Sequence, residues 1–221
     1  MSVDLIYGKL TKQIALRYKH LQKENEFFLA SENGKLGQDQ VVMLLKNLSH
    51  LTSQTPRHLK IAAVEARNRD LNDLARFFEN KLDEEVDHDK WGENDVKAIT
   101  GESFDPSQST TATPEMSSFV EQNIVLIKKH PFLYTVYILW AELFTVMSTP
   151  KFLAQVEKSC GIPPEFMSIL ANHAELDKEH TAEWKEEVSK LGTFGYDDTD
   201  LISVIDTIFD RYDRFIGKLA A

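Results

Sequence analysis

An all-α fold, a compact bundle of seven or eight helices, is what this sequence predicts. Apolar residues recur at helical spacing along most of the 221 residues, no alternating strand interrupts them, and Pro, Gly and Asn punctuate segments of helical length. The composition, 42% hydrophobic and 27% charged, is that of a globular chain able to bury a core without disulfides. A single domain over residues 1–221 is expected.

The elements follow in order. Leu5, Leu10, Ile14, Leu16 and Leu21 set a first helix over residues 4–31, closed by Asn33-Gly34. A second, over 37–51, carries Val41, Val42, Leu44, Leu45 and Leu48, and Pro56 opens a third over 55–66. Leu71, Leu74, Phe77, Phe78 and Leu82 begin a long helix over 69–99 that stops at Thr100-Gly101. Residues 102–114 read as an exposed loop. Helices over 114–129 and 131–148 divide at His130-Pro131, and Pro150 and Pro163-Pro164 introduce two more, over 150–159 and 163–190. A C-terminal amphipathic helix runs over 200–218.

The net charge of −10 and pI near 5.2 speak against nucleic acid or an anionic membrane as partner. No run reaches the roughly 18 apolar residues of a membrane span. Met1-Ser2-Val3-Asp4 lacks the basic and then apolar stretches of a leader, and the lone Cys160 permits no intrachain disulfide. The expected setting is the cytoplasm.

Three features carry chemistry. Glu142 is the one ionisable carboxylate in the apolar run Phe132–Met147; burying it costs several kcal/mol unless a cation or a proton compensates. A salt bridge to a buried arginine, or a place on a narrow exposed strip, is the ordinary alternative. His173, Asp177 and His180 fall within an arc of about 60° on one helical face. Two imidazoles flanking a carboxylate suit Fe, Mn or Zn, although a solvated polar face offers the same residues. Glu85 and His88 form an i, i+3 pair within the acidic run Asp83–Asp89, with Glu84 as a competing donor and Asp95 a further ligand or supporting acceptor. Alone, that run reads as an acidic helix end. Together the three features offer six donors on three helices, the di-iron pattern of Glu-x-x-His elements joined by single glutamates. The expected ligands are Glu85, His88, Glu142, His173, Asp177 and His180. Glu85 and His88 belong with one ion, Asp177 with His173 or His180 with the other, and the catalytic Glu142 lies near or between both.

The set Glu84/Glu85…His88, Glu142 and His173-x-x-x-Asp177-x-x-His180 resembles the heme-oxygenase-like di-iron oxidases and oxygenases. Within them it is most similar to the Chlamydia protein associating with death domains and its bacterial relatives (CADD-like), over roughly residues 10–215. The phrase Glu-Glu-x-x-His-Asp, followed by Trp91 and Asp95, adds to the likeness. The resemblance implies a heme-oxygenase-like fold (the TenA- and PqqC-like architecture), two Fe ions of which one is labile, Mn or Zn as substitutes, and O2-dependent oxidation of a small molecule. Amino acids, fatty acids and similar acids are the substrate classes it implies. One departure is Lys81, which stands where some relatives carry the first carboxylate, so Glu85 is preferred for that role. Another is Glu26-Phe27-Phe28-Leu29, without the tyrosine that some relatives consume, which argues against a self-consuming reaction.

Tyr137 and Trp140 are expected to line an apolar pocket by the metals. His20 reads as an exposed helix residue rather than a heme ligand, Cys160 as an inert thiol. A homodimer is compatible with the sequence. Two other classes compete: a non-catalytic interaction protein in the same fold, and a metal-free thiaminase-like enzyme.

Overall fold

Among its described residues the computed structural model has nine α-helices, eight long and one of seven residues, and no strand. The structure describes residues 3–220. Met1 and Ser2, half of the stretch read above for a leader, and Ala221 lie outside the described residues.

The first expected helix is two. Helix α1, Val3–Glu24, ends where the Asn25 side chain accepts from Phe27 N at 2.9 Å and so caps α2, Glu26–Glu32. The other end of that side chain reaches Asp213, fixing the corner. The two helices expected over 37–66 are instead one, α3, Gln38–Arg67, with Pro56 inside it. Proline removes an N–H and crowds the preceding turn. The hydroxyls of Thr52, Ser53 and Thr55 bond the carbonyls of Leu48, Ser49, His50 and Leu51, which ties together the turn that precedes the proline.

The long helix expected over 69–99 breaks into α4, Asn72–Glu84, and α5, Asp89–Thr100. The break follows from charge. Asp83, Glu84 and Glu85 oppose the dipole at a helix C-terminus, whereas Asp89 favours a new N-terminus. Asp87 takes up a left-handed conformation (φ +69°) at the turn, which Asp tolerates. Helix α6, Pro114–Lys129, matches its expected bounds, with Thr113 as N-cap. Pro150 fails to divide α7, Phe132–Cys160. The last two are α8, Ser168–Leu191, and α9, Asp198–Lys218.

Helix α7 is the central element, packed against α8, α1, α9, α6 and α2, while α3 holds α4, α5 and α6. By length and mean hydropathy, 1.3 over its most apolar window, α7 passes for a membrane span, but 72% of that window is buried inside the protein. One contiguous apolar core draws on every helix. Trp184 Nε1 donates to Thr135 O at 2.6 Å, which sets the register of α8 along α7.

Candidate metal centre

The break between α4 and α5 builds half of the site. Glu85 closes α4 and His88 opens α5, so this pair sits on a turn rather than on the continuous helix the spacing suggests. The turn exposes Val86 and Asp87 and directs Glu85 and His88 inward, where His88 is buried. Glu85 Oε2 lies 3.3 Å from His88 Nδ1. Trp91, one turn into α5, stacks on the His88 ring at 4.1 Å and meets the edge of His173 at 5.2 Å. It fixes both imidazole planes by packing. His173 Nδ1 lies 2.6 Å from Ile169 O. A carbonyl only accepts, so Nδ1 carries the proton and Nε2 is left as a donor atom for a cation.

Asp95 also faces inward but is already satisfied. Its two oxygens accept from Ser168 Oγ at 2.7 Å and Ile169 N at 2.8 Å, which ties α5 to the start of α8. Met167, at the N-cap position of α8, offers no side-chain cap; Asp95 supplies it from another helix. Its role is to place the helix that carries His173, Asp177 and His180.

The six expected residues resolve into two triads. Donor atoms of Glu85, His88 and His173 lie within 4.8 Å of one another, and so do those of Glu142, Asp177 and His180. Neighbouring donors on one first-row ion sit about 3–3.5 Å apart, so each triad would contract by up to about 1.5 Å to close on a cation. His173 thus falls with Glu85 and His88, and His180 with Asp177 and Glu142. The donor set, three imidazoles and three carboxylates, fits borderline to hard divalent ions. Glu142 Oε2 and His88 Nδ1 are buried without a hydrogen-bond partner, as ligand atoms awaiting a cation would be. Glu84 is exposed and stands outside both triads, although its Oε2 comes within 3.6 Å of His180 Nε2.

The electrostatics of the two triads differ. Desolvation pushes Glu142 up to about 7, with Lys81 and His180 pulling the other way and Asp177 adding to the rise. Asp177 is raised by burial as well. Burial would raise Glu85 too, but the His88 contact and the charges of His173 and His88 outweigh it and hold the carboxyl low. His180 is raised chiefly by its contact with Asp177.

Lys81 is the residue that sequence reasoning passed over as a site component. Its side chain is only 7% exposed, and Nζ lies 2.9 Å from Glu84 Oε2 and 3.3 Å from Glu142 Oε1, neither contact aligned as a hydrogen bond. Glu142 is therefore not the lone charge in an apolar wall. The signal was present in the pattern: Leu74, Phe77, Phe78 and Lys81 fall on one stripe of α4, where a lone lysine is out of place.

One cavity touches both triads. It measures about 130 Å³ and is bounded by Glu85 and His173, by Glu142 and Asp177, and by Tyr137 and other apolar side chains. Trp140, expected beside the metals, lines instead a second, more apolar cavity of about 90 Å³. The two share Leu48, Leu51, Ala141, Thr145 and Leu170 as walls. His20 is exposed on α1, and Cys160 Sγ lies 3.0 Å from Leu36 O, far from either triad in the fold.

A helical bundle whose inner helices converge two imidazole–carboxylate triads on one cavity is the class that fold and site define. The fold itself is heme-oxygenase-like. A domain of unknown function with that fold from Shewanella denitrificans OS217 superposes with a TM-score of 0.84 at 16% identity, covering 96% of this chain and 90% of that one. A CADD-like protein of unknown function from Nostoc punctiforme PCC 73102 gives 0.72 at 13% identity, with 97% and 96% covered. A TenA homolog from Pseudomonas syringae pv. tomato DC3000 gives 0.68 at 13% identity, with 98% and 91% covered. Neither a protein-family model nor a curated protein matches the sequence.

Proposed function

We propose that this chain is a non-heme di-iron oxidase or oxygenase that uses O2 on a small organic acid. The observation that carries the reading is the shared cavity: Glu85 and His173 of one triad and Glu142 and Asp177 of the other line it, among aliphatic, tyrosine and threonine side chains. Glu85, His88 and His173 would hold one ion, and Glu142, Asp177 and His180 the other, with Mn or Zn as substitutes. Bound iron supplies the electrons that activate dioxygen.

The chain's own residues do the remainder. Trp91 and the Ile169 carbonyl orient the imidazoles, and Asp95 holds α8 at the distance the triads require. Tyr134, Tyr137, Ile138 and Leu170 keep the cavity poor in water, which protects a reactive centre from side reactions. Glu142 faces this space and is the residue placed to respond to charge developing there.

Charge and shape narrow the substrate. Three ligand carboxylates against two divalent ions leave one positive charge, which favours a monoanion. The adjoining apolar cavity accommodates an uncharged chain or ring, so a fatty acid, an apolar amino acid or a similar acid fits this site. The acidic surface and free thiol favour a cytoplasmic setting, without nucleic acid or membrane as partner.

Anaerobic Fe(II) loading, followed by O2 exposure with optical and Mössbauer spectroscopy, tests the reading. Uptake of two irons and O2 consumption that rises with an added acid are expected. Protein that takes up no iron, or consumes no O2 when loaded, sinks it. The Lys81–Glu142 pair favours a second reading, a metal-free enzyme, because it compensates the buried carboxylate internally. Absence of stoichiometric iron together with turnover of an organic substrate would select that one.

A further inference from the structure

We infer that Lys81 is a built-in competitor for the cation at the Glu142–Asp177–His180 triad, making it the weaker of the two sites. The inference rests on the metal-binding reading above. It goes beyond that reading in naming which site is weak and which side chain makes it so.

The geometry separates the two oxygens of Glu142. Oε1 lies 3.3 Å from Lys81 Nζ and 3.9 Å from His180 Nδ1, while Oε2 is buried with no partner. A cation arriving at this triad meets the ammonium at Oε1, the oxygen that faces His180 Nδ1. To chelate through both oxygens it must displace a buried ammonium. Lys81 cannot simply move to water, because it is rooted in the apolar stripe of α4 and 7% exposed. Two carboxylates, Glu84 Oε2 at 2.9 Å and Glu142 Oε1 at 3.3 Å, flank its Nζ. A fixed positive charge beside a divalent ion in a buried site is repulsive at first order.

The other triad is more favourable to a cation. Glu85 has His88 as its ion-pair contact among the described residues, and the charge of Lys81 reaches it only as a minor influence. The groups facing Lys81 are thus Glu142, Glu84 and, further off, His180 and Glu85. Among these, Glu142 is a member of a triad in direct contact with the ammonium. The asymmetry is therefore written in one residue.

Anaerobic calorimetric titration of the chelator-stripped full chain with Mn(II), with bound Mn(II) counted by electron paramagnetic resonance, reads this without turnover. The parent should bind two ions with unequal affinity, and Asp177→Asn should abolish the weaker event. Lys81→Met should tighten the weaker event tenfold or more while changing the stronger one less. Lys81→Arg, which keeps the charge, should leave the weaker event weak. Lys81→Gln serves in place of Lys81→Met if circular dichroism shows that variant unfolded. Unchanged or weakened second-site binding in a folded charge-neutral variant overturns the inference alone, provided the parent binds two ions. A parent that binds no Mn(II) or Fe(II) overturns the metal reading and this inference together.

Discussion

Glu142→Gln isolates the cost of keeping a carboxylate inside α7. Gln has nearly the volume of Glu and mimics its protonated form, so the substitution removes a charge and little else. The folded protein holds Glu142 at about 7 against an ordinary value of 4.5, mainly through desolvation. A carboxyl whose folded value is raised contributes stability that is fully present below about pH 4.5 and is lost as pH rises through about 7. Each tenfold in proton affinity corresponds to about 1.4 kcal/mol, so the metal-free parent loses about 3 kcal/mol from this group between acid and pH 8.5. The variant has no such group to ionise. Metal-free Glu142→Gln should therefore equal the parent near pH 4.5 and exceed it by about 3 kcal/mol at pH 8.5. The influence of Lys81 is already contained in the folded value, since it is one of the causes that lower it. Urea unfolding at the two pH values, with chelator present, measures the difference directly. Added Mn(II) at a hundred times its dissociation constant should stabilise the parent by about 2.7 kcal/mol per site, and the variant by less. A metal-free variant weaker than the parent by roughly 3–5 kcal/mol at pH 8.5 would refute the reasoning, because Glu142 would then be the needed half of a structural ion pair with Lys81.

Two further outcomes follow from the same geometry. His180→Ala removes a donor on a half-buried face of α8, so bound iron should fall to about one ion per chain with the helical spectrum intact, whereas His20→Ala on the exposed face of α1 should change neither; metal analysis and circular dichroism check both. Gly92→Ala forces a methyl carbon to within 1.8 Å of Ser49 Oγ and 2.9 Å of Ile169 Cδ1, where α5 meets α3 and α8. Overpacking there should cost about 1–3 kcal/mol in chemical unfolding and weaken metal binding by shifting His88 and Asp95; a stability equal to the parent would show that the interface yields.

Helix identity was legible along most of the chain because periodicity reports burial, and burial is local in a bundle. Helix α6 kept its expected bounds because its cap, Thr113, and its last-turn lysines are written within it. Helices α3 and α7 ran through Pro56 and Pro150, where the sequence marks a break, because packing on both sides outweighs the hydrogen bond lost at each proline. The opposite error came at Glu85–His88, where an uninterrupted apolar stripe hid a turn imposed by acidic charge and a left-handed Asp87.

The candidate site divides the same way. Residue type and spacing singled out His88, Glu142, His173, Asp177 and His180 and left Glu84 and Glu85 in competition, because imidazoles and carboxylates at turn spacing are a property of the chain; the family resemblance favoured Glu85. How they pair was decided by tertiary structure: His173 joins Glu85 and His88 only because Asp95 ties α5 to the start of α8. The same holds for Asp95, whose seven-residue spacing from His88 fits a ligand until the backbone of another helix takes its oxygens. Lys81 shows the limit most clearly. Sixty-one residues separate it from Glu142 in sequence, and only the packing of α4 beside α7 and α8 sets its ammonium 3.3 Å from that carboxylate. Periodicity can say that a charge is buried; its counter-charge is chosen by the fold, because Coulomb energy depends on distance in space and not along the chain.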